Sequence, residues 1–334
     1  MRKFHAAVVA MTLAASMASA TGLRAQVSEV VLGQQFGAVY LTMMVMENQK
    51  LVEKHLANGN VANVAVRWAK LGGPAALNDA IISGSLHFAA QGVPSMAVLS
   101  DRTRGGIGFK AVAAAATNNI WLHTKDPSLK SLKDFTEKHR IAVPSLKVST
   151  QAFMLHFAAD KEWGEATRLD HMVVAIPHPE ALAAVLSPVH EITAHFATSP
   201  FHEKEAKAGL PVVTTAYDIM GGPTTGLTFT STEKFRGDNP KVFVAVLAAY
   251  DEAIAWTNAD KTRAARLYIE MTKDKNMTED ELAAVMATPD MEYTKVPKNV
   301  GKMVDFMFRT GALKTKPTSW KDFFFEEAHG LPGS

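Results

Sequence analysis

Apolar positions along this chain recur in two periods that take turns. From Val27 to Gly33 the pattern passes from alternating to continuously apolar, as in a strand that enters a core. After a loop over 34–38, Leu41, Met44, Val45, Asn48, Leu51, Val52 and His55 recur at 3.6-residue spacing, which predicts one helix over 40–56. Val61 to Trp68 reads as a second strand, and 75–83 as a helix stopped by Gly84. Residues 86–90 read as a third strand, ended by Gln91-Gly92-Val93-Pro94. The order βαβαβ predicts an open α/β sheet, with ligands bound outside the carboxyl ends of its strands.

The three glycines within 102–109 mark a loop, and 110–123 reads as a strand crossing to a second lobe, with Asn118, Asn119 and Trp121 near the crossing. A short helix over 132–135 precedes the strand Ile141-Ala142-Val143, which Pro144 ends. A helix begins near Thr150, with Ser149 or Thr150 placed to cap it, so a strand hands over to a free helix N-terminus through small polar residues. Strands follow over 172–176, 192–197 and 211–215, with helices over 179–186 and 202–208 between them. Gly221-Gly222-Pro223 leads into Leu227 to Thr230, the expected return crossing. Beyond Asn239 the chain reads as helical over 242–258, 262–271, a segment ending at Met286, 300–310 and 320–327. Thr278 and Glu281 form a capping box for the third of these.

Composition adds a compartment. With 334 residues, 47% hydrophobic and 20% charged, the chain has material for a large core and more than one lobe. Arg2 and Lys3 precede an Ala-rich apolar stretch, and Ala18-Ser19-Ala20 is a small-x-small site. Residues 1–25 are therefore expected to be a secretory signal peptide, cleaved after Ala20 or Ala25. The 35 basic residues include Arg2, Lys3 and Arg24, whereas the segment holds none of the 33 acidic ones, so the remainder carries a formal charge of −1. No basic patch for nucleic acid is implied. Cysteine is absent, so neither disulfides nor a lipid-bearing Cys is available, and a freely soluble, monomeric, periplasmic protein is expected.

Motifs for chemistry fail. His190 and His195 resemble an HExxH pair with one residue too many; on a helix the fifth residue lies roughly 140° round, and on a strand it faces the other way. The histidines of 171–202 lack a regular ligand spacing, so no metal is expected and they read as solvated or core groups. Gly105-Gly106-Ile107-Gly108 does not follow a strand, and no nucleophile elbow, phosphate loop or thiol is present. Neither an enzyme nor a cofactor is indicated.

Three stretches carry a family resemblance: GGPAALNDAIISGSLHFAAQGVP, TKDPSLKSLKDFTEKHRIAVPSLKVSTQ and the closing run of helices. The chain resembles the periplasmic substrate-binding proteins of ABC importers, in the group taking nitrate, sulfonates, taurine and thiamine-pyrimidine precursors. His87, where an acidic residue is common, and Thr136-Glu137-Lys138-His139, in place of a Gly-Lys turn, depart from that pattern. The resemblance implies a type II periplasmic-binding-protein fold with two α/β lobes joined by two crossing strands. Lobe 1 would be 26–116 with 226–334, and lobe 2 would be 117–225. It also implies capture of a small sulfonate, carboxylate or similar anion, delivered to an ABC permease and ATPase. A periplasmic sensor, or a pyrimidine-biosynthesis enzyme of the same fold, is the alternative.

On that basis the ligand is expected to meet Gln35, Phe36, Tyr40, Gly73 and Gln91 from lobe 1. From the crossings and lobe 2 it would meet Asn119, Trp121, Ser145, Ser149, Thr150, Thr198 and Thr224. Phe36 and Tyr40 equally suit core packing, Trp121 on a crossing strand suits packing better than binding, Thr198 equally suits a helix cap, and Thr224 suits hinge geometry.

Overall fold

The computed structural model describes residues 27–334, so the signal-peptide reading of 1–25 lies outside the described residues. The first part of the chain forms β1 (Glu29–Gln34), α1 (Leu41–Asn48), α2 (Leu51–Asn58), β2 (Ala65–Lys70), α3 (Pro74–Ile82), β3 (Phe88–Gln91), α4 (Val93–Thr103) and β4 (Phe109–Asn118). The middle part forms β5 (Trp121–Thr124), β6 (Ile141–Val143), α5 (Thr150–Trp163), β7 (Val173–Ala175), α6 (His178–Leu186), β8 (Ala194–Ala197), α7 (Phe201–Lys207), β9 (Val212–Thr215) and α8 (Ala216–Met220). The chain closes with β10 (Thr225–Thr232), α9 (Glu233–Asp238), α10 (Pro240–Ala259), α11 (Lys261–Thr272), α12 (Glu279–Met286), β11 (Met291–Glu292) and α13 (Val300–Arg309).

Two sheets result. One runs β11-β4-β10-β3-β1-β2 and the other β7-β6-β8-β5-β9. In the first, β2, β1 and β3 are parallel, while β10 runs antiparallel to both β3 and β4. In the second, β7, β6 and β8 are parallel and β5 is antiparallel to β8 and β9. The chain leaves the first sheet between Asn118 and Trp121 and returns between Met220 and Thr225, so two α/β lobes share two crossings.

Local chemistry explains the layers. The alanines Ala113 to Ala116 keep the centre of β4 thin, so that β10 and the helices pack closely on it, and Tyr250 of α10 donates its hydroxyl to Ala114 O at 2.7 Å. Phe229 stacks on Tyr250 with ring centroids 4.4 Å apart, and Phe88, Phe235 and Phe243 complete that core. On the side of the crossings, Phe306 of α13 meets Phe153 and Phe157 of α5, tying the last long helix to the second lobe.

Five sequence expectations need correction. The helix over 320–327 is two 3-10 turns, Trp320–Phe323 and Glu326–Ala328, because Phe324 between them bridges to Ala111 of β4. The helix over 40–56 is broken: Lys50 adopts a left-handed conformation at φ 50°, which lets α1 bury every residue from Leu41 to Met46 while α2 buries only one face. The second strand begins at Ala65 rather than Val61, because Asn63 is also left-handed and pairing with β1 starts at Glu29 opposite Ala65. Val93-Pro94 opens α4 instead of merely ending a strand, since proline suits the first turn of a helix, where no intrahelical bond is lost. Residues 110–123 form two strands, one in each sheet, broken at Asn119-Ile120.

Candidate functional site

The carboxyl ends of the parallel strands in both sheets face one narrow cleft between the lobes. From the first lobe come Gln35, Phe36, Val39 and Tyr40 after β1, Pro74 and Gly92 at the starts of α3 and α4, Asn118 at the end of β4, and Gly226 and Leu227 of β10. From the second lobe and the crossings come Ile120, Pro144, Ser149, Thr150, Gln151, Met154, His178, Thr198, Ala216 and Thr224. This wall contains no lysine, arginine, aspartate or glutamate. The side chains of Gln35, Tyr40 and Thr150 form no hydrogen bond with other described residues, which leaves their polar atoms for a guest.

Four helices of nine or more residues, α3, α4, α5 and α6, begin at this wall. Each N-terminus carries the positive end of a helix dipole. Ser149 caps α5 by accepting from Ala152 N at 3.2 Å, and donates to Ser145 O at 2.6 Å. At α4 and α6 the N-cap residues are Gly92 and Pro177, which offer no side-chain acceptor to the first-turn amides. Those amides have no side-chain cap.

The lobes meet across the cleft. Ala38 N donates to Ser199 O at 2.9 Å, Ala75 N to Ser145 Oγ at 3.4 Å, and Asn118 Nδ2 to Thr198 Oγ1 at 3.5 Å. Glycine makes the approach possible, because a Cβ at Gly73 would lie 2.4 Å from Pro144 O and one at Gly92 only 2.2 Å from Thr150 Oγ1. Lys204 pairs with Asp274 between lobes, and Lys207 with Glu281 at 2.6 Å.

Behind the second-lobe wall runs a buried chain. Gln151 Nε2 lies 3.2 Å from His178 Nε2, His178 Nδ1 lies 2.7 Å from His195 Nε2, and His195 Nδ1 lies 2.5 Å from Glu205 Oε1. His195 and Glu205 are fully enclosed. Desolvation pushes the Glu205 carboxyl up to about 8 and the His195 imidazole down to about 3, so both favour their neutral forms. His178 is held well below the ordinary histidine range by burial and then by His195. Glu205 Oε2 has no hydrogen-bond partner, which also disfavours a charge there. Among the described residues no group of three or more His, Cys, Asp or Glu side chains is placed to hold a metal ion.

Of the residues read from sequence, Gln35, Phe36, Tyr40, Ser149, Thr150, Thr198 and Thr224 line the cleft. Five others do not, each for a local reason. Gly73 abuts Pro144 and Ser145 while its neighbour Pro74 forms the wall. Ser145 spends its hydroxyl on Ala75 N in the contact between lobes. Gln91 is fully buried, with Oε1 accepting from Ser95 Oγ at 3.1 Å. Asn119 turns away to Asp290 and to the amide of Tyr217, so Asn118 takes the cleft position one residue earlier. Trp121 stacks on His202 with centroids 3.8 Å apart. Gln151 and His178 were missed, although His178 follows a strand at a helix start, the position that singled out the other candidates.

No family model matches the chain, and no curated protein sequence matches it either. Solved structures do match. The periplasmic aliphatic sulphonate-binding protein SsuA of Escherichia coli superposes with a TM-score of 0.63 at 15% identity, over 90% of this chain and 93% of that one. The alkanesulfonate-binding protein SsuA of Xanthomonas axonopodis pv. citri, bound to MOPS, gives 0.67 at 13% identity, over 87% of this chain and 96% of the other. The periplasmic nitrate-binding protein NrtA of Synechocystis gives 0.67 at 14% identity, over 90% and 86%. At these identities the likeness is one of fold: two α/β lobes of the periplasmic-binding-protein type.

Proposed function

We propose that this chain is the exported solute-binding component of an ABC importer, rather than an enzyme, and works in the periplasm. It captures a small organic anion, a sulfonate or carboxylate with a hydrophobic part, between lobe 1 (26–116 with 226–334) and lobe 2 (117–225), and hands it to a permease driven by an ATPase. The observation carrying this reading is the convergence of four helix N-termini on a cleft that contains no fixed charge. Phe36, Ile120, Met154 and Leu227 supply apolar wall for the rest of the ligand. Lys70, Lys204, Lys273 and Lys275, with one acidic residue, Asp274, line a recess beside Phe36, a net positive approach for an anion. The sulphonate- and nitrate-binding neighbours support the same ligand class.

Closure follows from differential affinity, because a ligand touching both lobes binds the closed form more tightly than the open one. A thermal-shift panel of alkanesulfonates, taurine, nitrate, aryl carboxylates and pyrimidines tests the reading. Stabilisation by a sulfonate or carboxylate supports it, and stabilisation only by uncharged compounds overturns it.

A further inference from the structure

An anion enclosed in a cleft without lysine or arginine needs a compensating positive charge or a strong donor. His178 is the one histidine in the wall, and it heads the buried chain to Glu205. We propose, resting on the anion reading above, that the protein binds its ligand in the form whose His178–His195–Glu205 chain is fully protonated, and that ligand binding draws a proton from solvent wherever the chain has lost one.

Proton counting gives the mechanism. Two hydrogen bonds link the three groups, and each needs one proton. With only those two protons the chain carries one negative charge, and His178 Nε2 is a lone pair that accepts from the Gln151 amide 3.2 Å away. Gln151 then turns its carbonyl oxygen toward the cleft, which repels an anion. A third proton makes the chain neutral and converts His178 Nε2 into a donor. Gln151 then accepts through its oxygen and presents its NH2 group to the ligand. Ligand and proton therefore favour each other, and the coupling is reciprocal.

Other groups face the chain. His123 of β5 lies within electrostatic reach of Glu205 and His195, and bonds His202 of α7 at 2.7 Å. Glu203 of α7 repels a charge on Glu205, and its own carboxyl binds Ser199 Oγ at 2.5 Å. Lys204 is engaged with Asp274. Burial holds His123 below the ordinary histidine value and His202 down to about 4, so neither supplies a competing cation at neutral pH. The third proton sits on the chain below about pH 8, where burial places the Glu205 carboxyl.

The test is calorimetric titration of the full chain with ethanesulfonate and with benzoate, in Tris and in borate near pH 9, and in Bis-Tris and in imidazole near pH 6.5, avoiding sulfonate buffers. The heats should report uptake of close to one proton per anion at the higher pH and almost none at the lower. The affinity should fall by up to about tenfold per unit above about pH 8. Glu205→Gln, which stays neutral, should flatten that profile. Binding with no proton uptake and a flat profile in the unaltered protein overturns this proposal and leaves the anion reading standing. So does a profile in E205Q as steep as in the unaltered protein. Absence of binding by either anion at both pH values contradicts the anion reading and this proposal together.

Discussion

Gly92 and Thr150, on opposite lobes, approach so closely that a methyl group on Gly92 would lie 2.2 Å from Thr150 Oγ1 but 3.5 Å from Thr150 Cβ. The lobes meet this closely at residue 92 because it lacks a side chain. In Gly92→Ala the Thr150 side chain must turn away before the lobes can meet, while each lobe remains intact. Ligand affinity should drop at least about tenfold, and small-angle scattering should show an expanded molecule with ligand present. Adding Thr150→Ala removes the clashing oxygen and should restore compaction, a coupling that only direct contact produces. A compact, fully binding G92A would contradict the account.

Stability should depend on pH through the buried chain. The Glu205 carboxyl is raised from 4.5 to about 8, so the folded protein keeps a proton that the unfolded chain has lost, and stability declines as pH rises through that window. His195 is lowered from 6.5 to about 3, so there the unfolded chain holds the extra proton, and stability rises with pH between those values. His178, His123, His202 and His87 are lowered in the same way, so the histidines oppose Glu205 up to about a unit above 6.5, and beyond that the decline remains. Melting temperature should therefore fall only above about pH 7.5, once the unfolded histidines are neutral, and Glu205→Gln should abolish that fall. A rise over the same interval would refute the assignment.

Ser149 acts on the helix more than on the guest, because its hydroxyl is occupied by Ala152 N and Ser145 O. Ser149→Ala should cost about 1 kcal/mol of stability, the usual worth of an N-cap, seen as a lowered denaturation midpoint in urea. Thr150→Ala should leave that midpoint nearly unchanged and weaken binding instead, since its hydroxyl makes no bond within the described chain.

Exposed lysines at the mouth should act on rate. Lys273→Glu combined with Lys275→Glu reverses the field of the recess beside Phe36, and should slow association of ethanesulfonate most at low salt. Stopped-flow traces with an unaltered rate and an unaltered salt slope would remove the steering role.

The loops around the cleft were legible in the sequence because strand ends are marked by glycine, proline and small polar residues, as at Gly92, Pro144 and Thr198. Side-chain direction was less so. Asn119 and Asn118 are adjacent on a strand end, and the two-residue period sends one into the cleft and the other to Asp290, a choice set by pairing across the crossing. Trp121 carries the same residue-level appeal as a binding aromatic, yet a histidine eighty-one positions away covers it. His178 was hidden differently: a histidine-rich stretch without ligand spacing reads as ordinary, and only the fold lines up His178, His195 and Glu205. The break at Lys50 escaped because the apolar period continues across it.

The central claim is that the cleft selects an anion. Calorimetric titration with ethanesulfonate and with its uncharged analogue ethyl methyl sulfone, in a buffer free of sulfonates at about pH 7, compares charge at nearly constant shape. The account predicts saturable one-to-one binding of the sulfonate and none, or at least about a hundredfold weaker binding, of the sulfone. Equal affinity for the two, or binding of the sulfone alone, would contradict it.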